Sequence, residues 1–342
     1  MAPRSGSGRV TIKTVAEDAG VSVAAVSKVL RDAYGVSDAL RARVRASMQK
    51  LNYRPHAAAR GMRGQTYTLG VLLPDIHNPF FTDIVAGINT ALERTQYQTL
   101  YGIVQSSPTA EQAVIEAMLD RQMDGIIFVG PRMQPGTIEE AASRLAMSVI
   151  AHHAATQAYD TINNDDELGA RLVVQHLAHG GYRNIAMLSL GLQPHESAQV
   201  TIQRELGYRA AMEEVGLRRY IKIVRAEQTP RDVQGAVRQL LRSRGRPEAI
   251  FCWTDFIALE ALSVARDLGL SVPGDLAIVG YDNTSYCDLT QNALTSVDQS
   301  GQVLGLQAAR LLVERIGGRT SAEHFKVTPR LVERASSRPR SA

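Results

Sequence analysis

The stretch GVSVAAVSKVL, residues 20–30, decides how the first part of the chain is expected to fold. Gly20 ends a segment with helical spacing and supplies the left-handed residue that closes a helix. Ser22 stands where the cap of a second helix is needed, and Val26 and Val29 after it share one helix face. The stretch therefore predicts two short helices joined by a tight glycine turn.

The flanking residues complete a three-helix unit. Thr11 is placed to cap a first helix, in which Ile12 and Val15 recur at helical spacing. Ser37 is placed to cap a third helix, which carries Val44 on its apolar face. Two short helices around a glycine turn, backed by a third, predict a helix-turn-helix, and an ordinary helical hairpin is the alternative.

Charge is divided unevenly along the chain. Residues 1–67 contain 12 Lys or Arg and 4 Asp or Glu, a balance of +8, whereas the remaining residues contain 26 and 30, a balance of −4. A basic module on an acidic body is typical of a nucleic-acid-binding protein with a separate regulatory or catalytic part. The alternative is that the imbalance reflects only a well-solvated surface.

From Tyr67 onward, short apolar runs alternate with amphipathic segments, as in TLGVLLP followed by NPFFTDIVAGINTALERT. This alternation predicts an α/β fold with doubly wound parallel sheets that helices cover on both faces. About 275 residues are enough for two such lobes, and a ligand is expected between them, beyond the carboxyl ends of the strands. No apolar run approaches the roughly 18 residues of a membrane span, and residues 1–9 are expected to be a disordered lead-in.

The sequence gives little support to an enzyme. It contains no G-x-S-x-G, Walker A, G-x-G-x-x-G or H-E-x-x-H motif. His152 and His153 follow a predicted strand, where adjacent side chains point to opposite sides and make a poor metal pair. Cys252 and Cys287 are interpreted as buried thiols of a reducing cytoplasm. We therefore expect no catalytic residue, no metal, no cofactor and no membrane partner, and a cytoplasmic, nucleoid-associated location.

The segments VTIKTVAEDAGVSVAAVSKVLRD and LNYRPHAAARGMRG resemble the N-terminus of the LacI (lactose-repressor/GalR-type) family of bacterial transcriptional regulators. The motifs VLLPDIHNPFF, NNDDELGA, RELGY, WTDFIALEAL, LAIVGYDN and LTSVDQ resemble, in order, that family's effector domain, which is similar to periplasmic sugar-binding proteins. The resemblance covers nearly the whole chain. It implies a helix-turn-helix domain at 10–54, a hinge at 55–66, and an effector-binding and dimerisation domain at 67–342, with lobe 1 at about 67–165 and 295–322 and lobe 2 at about 166–294 and 323–342.

In the family that the chain resembles, the second helix lies in the major groove of DNA. Matched by motif, Val23, Ala24 and Lys28 occupy its base-reading positions. Small apolar side chains can pack against thymine methyl groups, and a lysine can reach the acceptor pair of guanine. Ser22 and Ser27 are expected to contact phosphates, which fix the register without reading sequence.

The family's hinge folds into a helix only on DNA and enters the minor groove as a dimer. By the same matching, Ala59 and Met62 face the minor groove, with methionine where the family often has leucine. An apolar wedge at this point pries a base step apart at a cost of a few kcal/mol that depends on the step. The resemblance thus implies a homodimer on palindromic double-stranded operator DNA, with much of its specificity in the hinge.

The resemblance also implies an effector site for a small molecule, most simply a sugar or sugar derivative. Arg204 and Asp282 supply its polar anchors, while the aromatic rings of the site suit the C–H face of a sugar or a planar base. Trp253, the only tryptophan, either lines this site or simply ends a strand. A purine or nucleoside effector, and a sugar-binding protein without a role on DNA, are the alternatives. The predicted effector residues are Phe80, Phe81, Arg204, Thr254, Asp255 and Asp282, with threonine at 254 where the family usually has asparagine and with core packing as the alternative for the two phenylalanines.

Overall fold

A computed structural model describes residues 10–30, 33–53, 65–104, 107–191, 199–227 and 229–339. The chain divides into two compact units, residues 1–66 and residues 67–342. The predicted lead-in and the predicted minor-groove residues Ala59 and Met62 lie outside the described residues. Among the helices that are described, none is both long enough and apolar enough to cross a membrane.

The described part of the first unit contains the three predicted helices. Side-chain caps begin them where the sequence indicates: the hydroxyl of Ser22 accepts from the backbone N–H of Ala25 at 3.1 Å, and Ser37 caps the third helix in the same way. Gly20 has φ +60°, the left-handed conformation that ends the first helix. Their apolar faces meet in one small core. The helices are α1 (Ile12–Asp18), α2 (Val23–Leu30) and α3 (Asp38–Lys50).

The second unit consists of two lobes, each built on a six-stranded sheet with helices packed against it. In the first lobe the strand order is β11-β5-β4-β3-β1-β2, and all the pairings are parallel. Its elements are β1 (Thr68–Leu73), α4 (Pro79–Leu92), β2 (Gln98–Ile103), α5 (Pro108–Asp120), β3 (Gly125–Val129), α6 (Pro135–Ala142), β4 (Ala146–Ile150), β5 (Asp160–Asn164), α11 (Gly301–Ile316) and β11 (His324–Val327).

The second lobe has the strand order β12-β10-β9-β8-β6-β7, with β12 antiparallel to β10 and the other pairs parallel. The predicted α/β class with doubly wound parallel sheets is therefore confirmed. Its elements are α7 (Asp166–His179), β6 (Ile185–Leu190), α8 (Gln199–Glu214), β7 (Lys222–Ala226), α9 (Pro230–Arg242), β8 (Ala249–Cys252), α10 (Asp255–Asp267), β9 (Ala277–Asp282), β10 (Thr295–Asp298) and β12 (Arg330–Val332).

The lobe boundaries differ from those predicted at two strands. Residues 295–298 pair with β9 in the second lobe, although they were expected in the first. Residues 324–327 pair with β5 in the first lobe, although they were expected in the second. The chain crosses between the lobes after β5, after β10 and after β11, so each sheet receives one strand from a later return of the chain. A strand of four residues carries no pattern that tells which of two similar sheets it joins.

Helices α4 and α11 cross at very close range on the first lobe. A Cβ atom at Gly87 would collide with the backbone carbonyl of Gln302, and one at Gly305 would collide with that of Ile84. Glycine alone allows this approach, because the two backbones meet without intervening side chains. The crossing fixes the start of α4, and with it Phe80, at the edge of the cleft between the lobes.

Candidate functional site

One face of α2 presents the predicted base-reading side chains. Val23, Ala24 and Lys28 are exposed, and Val23 keeps 39% of its surface accessible. The three side chains are therefore accessible to a partner, as base-reading positions must be. Ser22 is also exposed, and its hydroxyl is engaged as the cap of α2.

Ser27 departs from the prediction, because only 6% of its surface is accessible. The helical wheel places it beside the apolar arc of Val26 and Val29, and α3 packs against α2 as well as against α1. The core therefore covers a wider arc of α2 than a two-helix hairpin would. A buried hydroxyl cannot reach a phosphate without a rearrangement, so Ser27 is a packing residue of the unit as described.

A cavity of about 150 Å³ lies between the lobes of the second unit, beyond the carboxyl ends of the central strands. A cavity of this size can hold a small polar molecule. Five of the six predicted effector residues line it, namely Phe80, Phe81, Arg204, Thr254 and Asp282. Further lining residues that the sequence did not single out include Asn78, Arg132, Asn164, Asp166 and Gln299.

Arg204, on α8, is the buried cation of this cavity. Its Nε donates to Asp166 Oδ1 at 2.8 Å, Nη1 donates to the carbonyl of Trp253 at 2.7 Å, and Nη2 donates to Gln299 Oε1 at 3.2 Å. The guanidinium carbon lies 3.6 Å from the ring centroid of Tyr281. Burial is the largest effect and opposes its charge, yet Asp166, Tyr281 and Asp282 together outweigh burial and raise the pKa of Arg204. The guanidinium is thus held by protein groups on all three nitrogens.

Asp282 ends β9 and is the second polar anchor. Its carboxylate accepts from Gln299 Nε2 at 2.6 Å and from Asn78 Nδ2 at 2.9 Å. Burial and, next, the carboxylate of Asp255 raise the pKa of Asp282 to about 7, against the opposing charge of Arg204. Its φ of +114° is costly for any residue but glycine, and such strain is typical of functional sites.

The two phenylalanines have different surroundings. Phe80 is only 7% exposed and packs in the core of the first lobe with Ile84 and Leu304, so core packing describes most of its surface. Phe81 is half-buried at the edge of that core. The rings are tilted, with centroids 5.9 Å apart, and both reach the cavity. Phe81 therefore offers more free aromatic surface to a ligand.

Thr254 and Asp255 separate in their roles. Thr254 lines the cavity and caps α10, its hydroxyl oxygen accepting from the backbone N–H of Ile257 at 3.3 Å. Asp255 does not line the cavity, so its prediction as an effector residue is wrong. Its carboxylate instead accepts from the N–H of Thr284 at 2.7 Å and from the hydroxyl of Ser296 at 2.5 Å. Asp255 joins α10 to the loops of the neighbouring strands, a contact between distant segments that adjacency in sequence cannot reveal.

Two polar atoms of the lining lack a hydrogen-bond partner within the part of the chain that the structure describes. They are the indole Nε1 of Trp253 and the side-chain oxygen Oδ1 of Asn164, and both are buried. Burying a donor or an acceptor without a partner costs roughly 1–3 kcal/mol, so such atoms are candidates for contact with a ligand. In the sequence, Asn164 could have been found from the motif NNDDELGA, and Trp253 from its place at the start of the motif WTDFIALEAL.

Several hydrogen bonds connect the lobes directly across the cleft. Asn164 Nδ2, at the end of β5, donates to the hydroxyl of Tyr281 in β9 at 3.1 Å. Two others involve carboxylates. Asn78 of the first lobe donates to Asp282 of the second, and the imidazole Nε2 of His153 lies 2.9 Å from Asp166 Oδ2. The acceptors are the same carboxylates that surround Arg204. The polar cluster of the cavity is therefore shared between lobes.

Comparison with known proteins identifies relatives along the chain. A family model described as bacterial regulatory proteins, lacI family, matches residues 11–56, and one described as periplasmic binding protein-like domain matches residues 174–337. The chain is 33% identical to catabolite control protein A of Priestia megaterium over 95% of this chain and 98% of that protein. It is 30% identical to the HTH-type transcriptional repressor PurR of Proteus mirabilis over 95% and 96% of the two chains.

Solved structures agree with these relatives. A complex of the transcriptional regulator CelR with cellobiose superposes with a TM-score of 0.70 at 26% identity, over 96% of this chain and all of that one. The lac repressor dimer bound to operator and the anti-inducer ONPF superposes with a TM-score of 0.79 at 24% identity, over 97% and 100% of the two chains. At 24% identity, the similarity to the lac repressor dimer shows that the fold is shared and shows nothing more.

Proposed function

The chain belongs to the LacI family of bacterial regulatory proteins and is a transcriptional regulator with an effector-binding domain, and from that premise we propose its mode of action. It acts as a repressor that binds a palindromic operator as a homodimer, and a small carbohydrate bound between its lobes sets the operator affinity. As a regulator of DNA it works in the cytoplasm, at the nucleoid. The observation that carries the effector proposal is the cavity between the lobes, in which Arg204 and Asp282 stand as buried polar anchors among apolar side chains.

DNA binding is supported by the surface of α2 and by charge. Val23, Ala24 and Lys28 form an exposed strip of two small apolar side chains and one cation, which matches thymine methyl groups and a guanine acceptor pair. The balance of +8 over residues 1–67 supplies the attraction to phosphates. Operator affinity should therefore fall steeply with salt.

Lys28→Ala is expected to weaken operator binding by about 1–3 kcal/mol and to relax preference at one position of each half-site, because a base contact is lost. Quantitative gel shift on the operator and on random DNA measures both effects. Lys50→Ala, which removes the same charge from a lysine that pairs with Asp18 on the exposed surface, is the matched control. Equal losses on operator and random DNA would reduce Lys28 to a phosphate contact.

A neutral carbohydrate fits the charges of the cavity. Arg204 already donates to three protein acceptors. The lining contains three acidic side chains, Asp75, Asp166 and Asp282, against two arginines, Arg132 and Arg204. An anionic ligand would therefore meet more negative than positive charge. A sugar hydroxyl, which both donates and accepts, can serve Asn164 Oδ1 and the Trp253 indole alike.

Neutral monosaccharides and disaccharides are expected to raise the midpoint of thermal unfolding, whereas sugar acids and sugar phosphates are not. A ligand that binds only the folded state adds about 2.7 kcal/mol of stability at 100 times its Kd. Phe81→Ala should abolish the shift. Phe325→Ala, which truncates another half-buried phenylalanine of the same core away from the cavity, should preserve it. If only purines or nucleosides raise the unfolding midpoint, the effector is a purine or nucleoside and not a carbohydrate.

The homodimer is supported by the edge of the first sheet. Strand β2 lies at that edge and exposes Leu100, Tyr101 and Ile103, with 49%, 42% and 39% of their surfaces accessible. Tyr101 and Ile103 lie on one face of this strand and Leu100 on the other. Apolar side chains on an edge strand favour coverage by another chain, and a second copy is the partner that a palindromic site requires. Sedimentation at increasing concentration tests this association.

A further inference from the structure

Asn78 makes two hydrogen bonds that serve different parts of the fold. Its side-chain oxygen accepts from the backbone N–H of Phe80 at 3.0 Å and so caps α4. Its side-chain nitrogen donates to Asp282 Oδ2 at 2.9 Å, across the cleft. One amide therefore ties the helix that carries both cavity phenylalanines to the strand end of the opposite lobe.

The geometry around Asn78 leaves little freedom to either bond. The backbone N–H of Asn78 donates to Asp75 Oδ1 at 3.0 Å, which holds the loop before α4 in a turn. On the other side, Gln299 Nε2 holds the second carboxylate oxygen of Asp282 at 2.6 Å. The carboxylate is thus fixed between a residue of the first lobe and a residue of the crossing between lobes.

We propose that Asn78 is a positioning residue that holds the two lobes together without effector and orients the Asp282 carboxylate at the cavity. The cap and the cross-lobe bond share one planar amide, so a movement of the lobes apart must break the bond to Asp282 or disturb the start of α4. Effector binding then begins from lobes that are already joined. This consequence for the effector rests on the proposed function. The bond between Asn78 and Asp282, which we call the latch, is a property of the effector-free chain.

Asn78→Asp converts the latch into one that depends on pH. The variant keeps an acceptor for the Phe80 N–H, so the cap survives, but it places a second carboxyl against Asp282. When both are ionised they repel each other, and when one is protonated it donates to the other, as paired carboxyls do. The charged or titratable groups that surround the pair are Asp75, Arg132, His153, Asp166, Arg204, Asp255 and Tyr281.

Trp253 provides the measurement, because it is the only tryptophan and it lines the cavity. Its quenching by acrylamide in the effector-free full chain rises when the cleft opens to solvent. The measurements are made at about pH 5.5 and about pH 8.5, on either side of the pKa of about 7 of Asp282. Asn78→Ser is the matched control, since serine caps a helix but is too short to reach across the cleft.

Wild-type quenching is expected to stay low at both pH values, and that of Asn78→Ser is expected to be high at both. Asn78→Asp is expected to resemble wild type in acid and Asn78→Ser in alkali. This pattern separates a latch from a mere helix cap, because both variants keep the cap. The proposal is overturned if Asn78→Ser quenches as wild type does, or if Asn78→Asp follows Asn78→Ser at both pH values. Neither outcome depends on the identity of the effector or on DNA binding.

Discussion

Replacing Arg204 by methionine is expected to destabilise the second unit by about 3–5 kcal/mol, the usual cost of removing one partner from a buried ion pair. Methionine keeps the apolar stem and deletes the charge together with the three hydrogen bonds to Asp166, Trp253 and Gln299. Asp166 is 3% exposed and would stay buried without the guanidinium. The response to effector should be lost with it, because the cavity is built around this side chain.

Denaturant unfolding, followed by circular dichroism, measures the loss. The matched control is Arg225→Met, which removes an arginine that also pairs with a buried carboxylate, that of Glu205. The side chain of Arg225 is 41% exposed, so water screens its ion pair with Glu205. The expected cost of the substitution is therefore about 1 kcal/mol or less. Equal losses in the two variants would show that the Arg204 cluster contributes no more than a surface pair.

Local patterns in the sequence were sufficient for the fold class. The spacing of Val15, Val26 and Val44 and the caps at Ser22 and Ser37 depend on neighbours within one turn of helix, and all of them are found as predicted. The alternation of strands and helices in the second unit is likewise a local signal. The pairing of residues 295–298 and 324–327 is not encoded by a local signal, because it depends on which sheet the returning chain can join.

In the candidate site, too, residues marked by local motifs were predicted, and residues that depend on long-range packing were not. Arg204 and Asp282 were predicted from their motifs, and the structure places both at the cavity. The prediction of Asp255 as an effector residue was wrong, because its carboxylate faces Ser296 and the Thr284 N–H. Only the packing of β9 and β10 brings these two groups to it. Asn78 stands in the VLLPDIHNPFF motif, but the motif does not predict its role, because its bond to Asp282 joins residues that are far apart in the sequence.

Asp282→Asn is expected to change how the stability of the chain depends on pH. The folded chain raises the pKa of Asp282 from its ordinary value of 3.8 to about 7, so it retains a proton that the unfolded chain releases. The associated stability is complete below about pH 4 and is lost as pH rises towards 7, about 4 kcal/mol in all. Asparagine resembles the protonated acid in shape and does not titrate. The stability of the variant should therefore depend less on pH, and its stability relative to wild type should rise between about pH 4 and about pH 7.

Unfolding free energies at about pH 5, 6, 7 and 8 measure this difference. Asp275→Asn is a control of opposite sign, because hydrogen bonds from Ser271 lower the pKa of Asp275 and its contribution is lost in acid instead. That variant should fall below wild type near neutral pH and approach it as pH decreases. Parallel pH profiles for wild type and Asp282→Asn would mean that folding does not shift the pKa of Asp282, and would contradict this prediction.

The same variant is expected to lose the effector response as well as the pH dependence of its stability. Asparagine at 282 offers one acceptor where the carboxylate offers two, and the amides of Asn78 and Gln299 already occupy both carboxylate oxygens. A ligand hydroxyl that donates to the remaining lone pairs of the carboxylate would then meet an amide N–H. A carboxylate that costs stability near neutral pH, at a strained backbone position, is what a binding site retains when its ligand supplies the missing hydrogen bonds. Thermal shift with the effector that wild type binds decides this, since an unchanged response would remove Asp282 from the site.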